Sequence, residues 1–227
     1  NRVDCFSMIG MAREVAATFD KEFIPPVVEV KGSGGNVNDY ISVEVKDTDL
    51  CPRYAARVIT DIKIGPSPKW MRERLAAQGI RSINNLVDIT NYVMLEMGQP
   101  MHAFDYDYLE GNQIQVRRAK EKEQIVTLDS LEYELNENNL LICDGVKGVA
   151  IAGVMGGLNS EIRDTTKEVL FESAKFARDN IRKTSRALGK RTDASAKYEK
   201  GVDEYSTVNA MKRALHLIEE LNCGKVS

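Results

Sequence analysis

Four short stretches of the sequence contain side chains suited to catalysis or ligand binding. The first is Gly98–Asp105, in which His102 follows the end of a predicted helix and a proline, so we expect it in a loop. Loops on a rigid scaffold often carry binding residues. A histidine in such a loop can exchange a proton near neutral pH. The alternative is that His102 is a hydrogen-bonded structural residue that holds the loop.

The second stretch is Ala152–Gly157, where a predicted strand of small residues runs into a glycine-rich loop. Glycine lets a ligand approach the backbone closely, and Gly156 lies within this loop. The spacing is not that of a nucleotide site, because no GxGxxG pattern occurs and no P-loop lysine follows. A tight turn without a ligand is the alternative.

The third stretch is Phe171–Ala174, in which Glu172 stands at the expected end of an apolar strand. A carboxylate buried there needs a partner, such as a ligand hydroxyl or a cation. The alternative is a strand-end glutamate that faces water.

The fourth stretch is the basic segment Lys175–Lys200, which has a net charge of +6 in a chain whose total is −3. Arg178, Arg182 and Arg186 recur every fourth residue, so they share one face of a predicted helix. Such a face can bind phosphates, although a solvated surface is the common alternative. The polar loop Lys190–Ser195 follows and offers hydroxyls and backbone amides to a ligand.

The elements that must position these stretches are of mixed type. The periodicity predicts helices near 7–19, 68–79, 84–97, 176–188 and 203–222. It predicts strands at 40–46, 53–64, 113–118, 123–127, 132–135, 140–143, 148–152 and 168–171. This order is typical of an α+β fold, with helices packed on mostly antiparallel sheets. A stretch rich in proline and glycine, 24–39, separates an N-terminal helix and linker (1–38) from a main domain (39–227).

Composition narrows the classes of protein. With 227 residues, 43% hydrophobic and 29% charged, the chain is globular in character. Its four cysteines form no CxxC pair and only two histidines are present, so we predict no zinc site of Cys/His type and no other metal site. No apolar run approaches the roughly 20 residues that span a bilayer, so we predict no membrane contact.

Longer motifs resemble a known family. They are Asn1–Cys5 with Gly10–Ala17, Ser82–Met94 continuing to Gly98–Asp105, Ala152–Gly157, and Arg191–Ser195 with Glu199–Asp203. In this order they resemble the β subunit of bacterial phenylalanyl-tRNA synthetase, in its B3/B4 editing region. The resemblance covers essentially the whole chain, which we therefore expect to be a segment of a longer subunit.

The resemblance implies hydrolysis of tyrosine from mischarged tRNA(Phe). An apolar synthetic pocket rejects an added hydroxyl poorly, so a second hydrolytic site is needed. By motif match, Glu172 and the backbone at Gly156 would read the tyrosine phenol, and Arg81 and Ala194 would line the same pocket. His102 and Thr192 would be catalytic, with His102 orienting or deprotonating water, or holding the terminal adenosine. The cations expected to bind RNA are Arg178, Arg182, Arg186, Lys190 and Arg191.

The resemblance also implies partners. We expect tRNA(Phe), a synthetase α subunit in a heterotetramer of two α and two β subunits, and a cytoplasmic location. ATP and magnesium would serve only the whole enzyme, with no cofactor in this segment. The alternative is a non-catalytic module that binds tRNA or scaffolds the subunits.

Overall fold

The elements were located in a computed structural model that describes residues 2–227. Asn1, where the first motif begins, lies outside the described residues. The helices are α1 (Met8–Thr18), α2 (Lys69–Ala76), α3 (Asn85–Met97), α4 (Arg178–Ala187), α5 (Asp193–Tyr198) and α6 (Ser206–Glu220). The strands are β1 (Ser42–Val45), β2 (Arg53–Thr60), β3 (Met101–Asp105), β4 (Gln113–Arg118), β5 (Glu123–Val126), β6 (Glu132–Leu135), β7 (Leu140–Cys143), β8 (Gly148–Ile151), β9 (Met155–Gly156), β10 (Val169–Lys175) and β11 (Lys225–Val226).

The strands form two main sheets and a ribbon. One sheet has the order β1-β4-β7-β8-β9, the other has the order β11-β2-β10-β3, and β5 pairs with β6. The β1–β4 pair is parallel, and the other strand pairs among the described residues are antiparallel. The predicted α+β class is therefore confirmed.

Strand β10 lies in the interior of the four-stranded sheet and is buried on both faces. Because side chains alternate along a strand, Leu170 and Ala174 point into the core shared with the five-stranded sheet. Val169 and Phe171 point the other way, into the core formed with α3 and α6. Glu172 lies between Leu170 and Ala174 on the face toward the five-stranded sheet.

Helix α3 is followed directly by β3, which it positions. Its first turn is capped by Asn84, whose side-chain oxygen accepts a hydrogen bond from Val87 N at 3.0 Å. Its apolar stripe, which includes Leu86 and Ile89, is buried. Gly98 then ends the helix with φ +79°, a backbone conformation that favours glycine.

The prediction that His102 lies in a loop is wrong, because His102 belongs to β3. The stop signals after α3 are real, but the five residues that follow pair with β10 from Met101 opposite Ser173 to Asp105 opposite Val169. Glu172 is also not at a strand end, since β10 continues to Lys175. In both cases long-range pairing extends a strand that the local sequence does not mark.

The predicted polar loop 190–195 contains the start of a helix that the periodicity did not reveal. Thr192 is the N-cap of α5, and it forms a capping box with Ser195. The helix has only six residues, which is too short for a hydrophobic period to be recognisable.

The N-terminal segment has two parts. Its linker follows α6: Arg213 Nη1 donates to Val27 O at 3.0 Å, and Glu219 accepts from the amides of Lys31 and Gly32 at 2.9 and 2.8 Å. The apolar residues spaced at the helical period in α1 and its C-cap are exposed, with Met8, Met11, Val15 and Phe19 between 48% and 67% accessible. The domain boundary at residue 38 stays a prediction. Across residues 2–227, the helices are too short or too polar to cross a membrane.

Candidate functional site

A cleft of about 260 Å³ opens between the two sheets. Strands β3 and β10 supply one wall, and β8, β9 and the turn between them supply the other; α3 and α5 flank it. Its lining includes Asn91, Met94, His102, Leu128, Gly153, Val154, Gly156, Glu172, Thr192, Ala194 and Tyr198. The structure therefore brings together five of the site residues predicted from the sequence: His102, Gly156, Glu172, Thr192 and Ala194.

The sheet register explains why His102 and Glu172 meet. They are direct cross-strand partners between β3 and β10, so their side chains project from the same face. Directly opposed residues of an antiparallel pair have Cβ atoms roughly 4.5–5.5 Å apart. Ala56 of β2 is the partner of Glu172 on the other side, and its small side chain leaves the carboxylate room.

Glu172 is a buried carboxylate with one hydrogen bond. It is 6% exposed, and Tyr54 Oη donates to its Oε2 at 2.7 Å. Burial raises the pKa of Glu172 to about 7, although the Tyr54 hydroxyl acts in the opposite direction. Within residues 2–227, its Oε1 accepts no hydrogen bond, so this oxygen is available to a ligand in the cleft.

His102 has an imidazole without a hydrogen bond to any other described residue. Its ring packs edge-on against Phe104, with the two ring centres 4.5 Å apart. Burial lowers the pKa of His102 to about 4. The ring is therefore neutral at pH 7, where it can donate one hydrogen bond and accept another but is a weak base.

Two glycines let the facing loop pack closely against its neighbours. A Cβ on Gly156 would lie 2.4 Å from Cε1 and 2.7 Å from Nε2 of His102, so only glycine fits. Gly153 has φ +66°, and a Cβ there would lie 3.0 Å from the rings of Phe176 and Tyr198.

Thr192 links the loop that contains Val154 to α5 through hydrogen bonds. Its hydroxyl donates to Val154 O at 2.8 Å and accepts from Ser195 N at 3.1 Å. The single hydroxyl proton is thus already used within the protein. Ala194 lies in the first turn of α5 and presents a small apolar side chain to the cleft.

Arg81 is not among the lining residues. It is exposed in the segment between α2 and α3, ahead of the first turn of α3. The cleft is reached instead by Asn91 and Met94, from later turns of the same helix.

The predicted RNA-binding cations fall into two groups. Lys190 is paired with Asp129 at 2.5 Å, Arg191 with Glu199 at 2.9 Å, and Arg178 with Asp179 at 3.4 Å. Arg182 and Arg186 are exposed on α4 and lie within 4 Å of no carboxylate of residues 2–227. The second group is the more available to an external anion.

Sequence reasoning missed Asn91, Met94 and Leu128 in the lining and Tyr54 behind Glu172. The sequence gives one indication that Asn91 belongs to a site, because it is a polar residue next to the buried stripe of α3. It gives no such indication for Tyr54, because the hydrogen-bond partner of Tyr54 lies 118 residues away.

One cluster of metal-ligand type occurs among residues 2–227, outside the cleft. Asp4, Cys5 and Glu14 bring ligand atoms within 4.8 Å of one another. Arg2 already forms ion pairs with both carboxylates, at 2.5 and 2.6 Å. The cluster is therefore explained by a surface salt-bridge network.

An α+β fold of two sheets with a cleft between them, in this element order, defines the class. Residues 50–223 match the family model described as the B3/4 domain, and the chain belongs to that family. The resemblance inferred from the sequence motifs is confirmed. The fold is shared with an N-terminal fragment of the phenylalanyl-tRNA synthetase beta-subunit from Pyrococcus horikoshii, with a TM-score of 0.55 at 16% identity over 100% of this chain and 60% of that one.

Curated relatives are similar over the full length of the chain. The phenylalanine–tRNA ligase beta subunit of Syntrophus aciditrophicus (strain SB) is 52% identical over 226 residues, and that of Halalkalibacterium halodurans is 51% identical over 226 residues. The chain spans 28% of the length of each of these relatives.

Proposed function

We propose that the cleft is the editing site of a phenylalanine–tRNA ligase β subunit, where tyrosine is hydrolysed from mischarged tRNA(Phe). The observation that carries this proposal is Glu172, a buried carboxylate with one oxygen open to an otherwise largely apolar cleft. A tyrosine ring entering the cleft would donate its hydroxyl to that oxygen. Phenylalanine would leave that oxygen buried and unpaired, which costs roughly 1–3 kcal/mol or more.

The reaction is attack of water on the carbonyl of the aminoacyl ester, with the ribose oxygen as leaving group. We assign His102 to orienting this water or the terminal ribose, because a ring with a pKa of about 4 is a poor base at pH 7. The amides of Val154 and Gly157 already donate to Ile151 O and Val149 O, so the oxyanion would be stabilised by other amides of the 153–157 loop. Thr192 would act by holding that loop, since its hydroxyl proton is donated to Val154.

The acceptor end of the tRNA would cross the exposed face of α4. Arg182 and Arg186 would contact phosphates there, with Arg178, Lys190 and Arg191 in supporting positions. Arg81 would contact the tRNA outside the cleft. We expect an α subunit as partner and a cytoplasmic location, with ATP and magnesium used only in the aminoacylation reaction of the whole enzyme.

The test is deacylation of tyrosyl-tRNA(Phe) and phenylalanyl-tRNA(Phe) by the whole enzyme, assembled from both subunits. Glu172→Ala should lower the preference for the tyrosyl substrate by about ten-fold or more, with hydrolysis itself less affected. Glu134→Ala, which removes an exposed carboxylate of β6, is the matched control. An unchanged preference in Glu172→Ala would refute the role of Glu172.

A second function is a tRNA-binding module without turnover, which the unpaired cations of α4 favour. It predicts that His102→Ala and Glu172→Ala leave deacylation by the whole enzyme unchanged. It also predicts that Arg182→Ala weakens tRNA binding. A subunit scaffold, the remaining alternative, predicts loss of assembly without loss of editing when the surface of this region is altered.

A further inference from the structure

Tyr54 reaches Glu172 from the neighbouring strand β2. It lies on β2, opposite Ala174 of β10, two residue pairs along the strands from the pair of Ala56 with Glu172. Its hydroxyl oxygen is 2.7 Å from Oε2 of Glu172. Tyr54 is not part of the cleft lining; it borders a separate groove, together with Ile41 and Arg57. The two oxygens of Glu172 are thus divided between Tyr54 and the cleft.

The direction of this hydrogen bond is fixed. Burial and the nearby charge of Glu172 raise the pKa of Tyr54 well above its ordinary value, so the phenol keeps its proton and donates. A donor to an ionised carboxylate favours the ionised form. It also holds the carboxylate plane in one orientation.

We propose that Tyr54 is a positioning residue that sets specificity, by keeping Glu172 ionised and aiming its free oxygen at the phenol of the substrate. This inference rests on the proposed editing function. An ionised carboxylate only accepts hydrogen bonds, so its free oxygen pairs with the hydroxyl of tyrosine and is left unpaired by phenylalanine. A protonated Glu172 is neutral, and burying it unpaired costs less. Selectivity therefore follows the ionised fraction of Glu172.

Of the buried groups around Glu172, which are Cys51, Tyr54, His102 and Tyr198, none has a pKa near 7. Burial raises the pKa of Cys51 to about 12 and lifts the pKa of Tyr198 well above its ordinary value. Burial lowers the pKa of His102 to about 4. Tyr54 keeps its proton because burial raises its pKa as well. A change in selectivity between pH 6 and 8.5 is thus assigned to Glu172.

The experiment measures the ratio of kcat/KM for tyrosyl-tRNA(Phe) to that for phenylalanyl-tRNA(Phe) from pH 6 to 8.5, in the whole enzyme. Taking this ratio cancels the effect of pH on ester hydrolysis common to both substrates. The wild-type ratio should rise with a midpoint near pH 7. Tyr54→Phe should move the midpoint upward by about one pH unit. At pH 7 the ratio should then fall roughly five-fold, with recovery toward pH 8.5.

The matched control is Tyr40→Phe, which removes a hydroxyl that donates at the same distance, 2.7 Å, to the carbonyl of Gly34. It should leave the midpoint in place. Incorporating 3-fluorotyrosine at Tyr54 makes the hydroxyl a stronger donor, so the midpoint should move downward. This second variant keeps the size of the side chain and tests the same hydrogen bond where Tyr54→Phe folds poorly.

The outcomes separate the two levels of inference. In one outcome, Glu172→Gln abolishes the wild-type midpoint but neither Tyr54 variant moves it. This would overturn the role of Tyr54 and leave the editing function standing. A wild-type ratio that is flat with pH and unchanged in Glu172→Gln would overturn the editing role of Glu172. Opposite shifts in the two Tyr54 variants would support both.

Discussion

Glu172 and Asp144 are both buried carboxylates, yet the protein satisfies them in different ways. Asp144 is 1% exposed, and its carboxylate accepts hydrogen bonds from the backbone amides of Glu110, Val146 and Lys147 at 2.7–3.0 Å. The ammonium group of Lys147 adds an ion pair at 3.1 Å. Glu172 has the Tyr54 hydroxyl alone.

The pKa values follow this difference. Burial by itself raises the pKa of Asp144, but the three backbone amides and Lys147 outweigh it, and the pKa is lowered. At Glu172 burial dominates, and the pKa rises to about 7. A carboxylate that serves only the fold is fully paired by the fold. One that is left half-paired at a cleft is a candidate for pairing with a ligand.

The largest expected effects are on stability, and they should be opposite in sign for the two carboxylates. Glu172→Gln should stabilise the fold at pH 8 by on the order of 3 kcal/mol, the equivalent of a pKa raised from 4.5 to about 7. Because the folded-state pKa lies above the unfolded one, the wild type loses this stability as pH rises from about 4.5 to 7. The gain should therefore be mostly absent at pH 5. Urea unfolding followed by the fluorescence of Trp70 measures it.

Asp144→Asn is the counterpart and should destabilise the fold by roughly 1–3 kcal/mol at pH 8, because an amide NH2 would face a backbone donor or Lys147. The pKa of Asp144 is lowered by folding, so its contribution persists at pH 5 and is lost only as pH falls through the folded-state pKa. Equal effects of the two substitutions at pH 8 would contradict the contrast between the carboxylates.

A smaller effect is expected from Gly156→Ala. This substitution displaces His102 and leaves both carboxylates in place, so it separates the role of His102 from theirs. The added Cβ would overlap the imidazole ring, and overpacking of this kind costs roughly 1–3 kcal/mol. We expect kcat/KM for tyrosyl-tRNA deacylation to fall about ten-fold or more.

The control is Gly65→Ala, because a Cβ at Gly65 meets nothing within 4 Å. It should deacylate at the wild-type rate. A Gly156→Ala enzyme that is as active as Gly65→Ala would show that the position of His102 does not matter to the reaction.

The smallest effect is expected from the exposed charges, where no burial amplifies an interaction. Replacing Arg182 and Arg186 by alanine should raise KM for tRNA several-fold and lower the slope of log affinity against log salt by about 0.7–0.9 per lost phosphate contact. Selectivity for tyrosine and the free energy of unfolding should be unchanged. Lys69→Ala, an exposed cation of α2 that is 82% accessible, is the control. A salt slope identical in all variants would remove α4 from the RNA interface.

The sequence predicts the local features of this molecule well and the long-range ones poorly. The strands β4, β6 and β7 have the bounds predicted for them, because the residues that mark each strand lie within a few positions of each other. The strand at His102 is not predicted, because its hydrogen bonds go to β10, some 70 residues later.

The candidate site shows the same limit. Gly156 and Glu172 stand out because a glycine-rich loop and a lone carboxylate after an apolar run are visible in isolation. Tyr54 is one aromatic residue in an ordinary strand, and nothing near it in sequence indicates that its hydroxyl meets a carboxylate. The pairing of β2 with β10 determines that contact.

That contact between Tyr54 and Glu172 joins residues 118 positions apart, and it has a consequence for the order of folding. Contacts of such long separation form slowly, because a large loop must close before they are made. Helix α3 and the β5–β6 ribbon can form from their own neighbours, whereas the floor of the cleft must wait for β10 to be synthesised and inserted between β2 and β3. During translation the wall of the cleft that carries Glu172 is therefore completed late, after β1–β9 have been made.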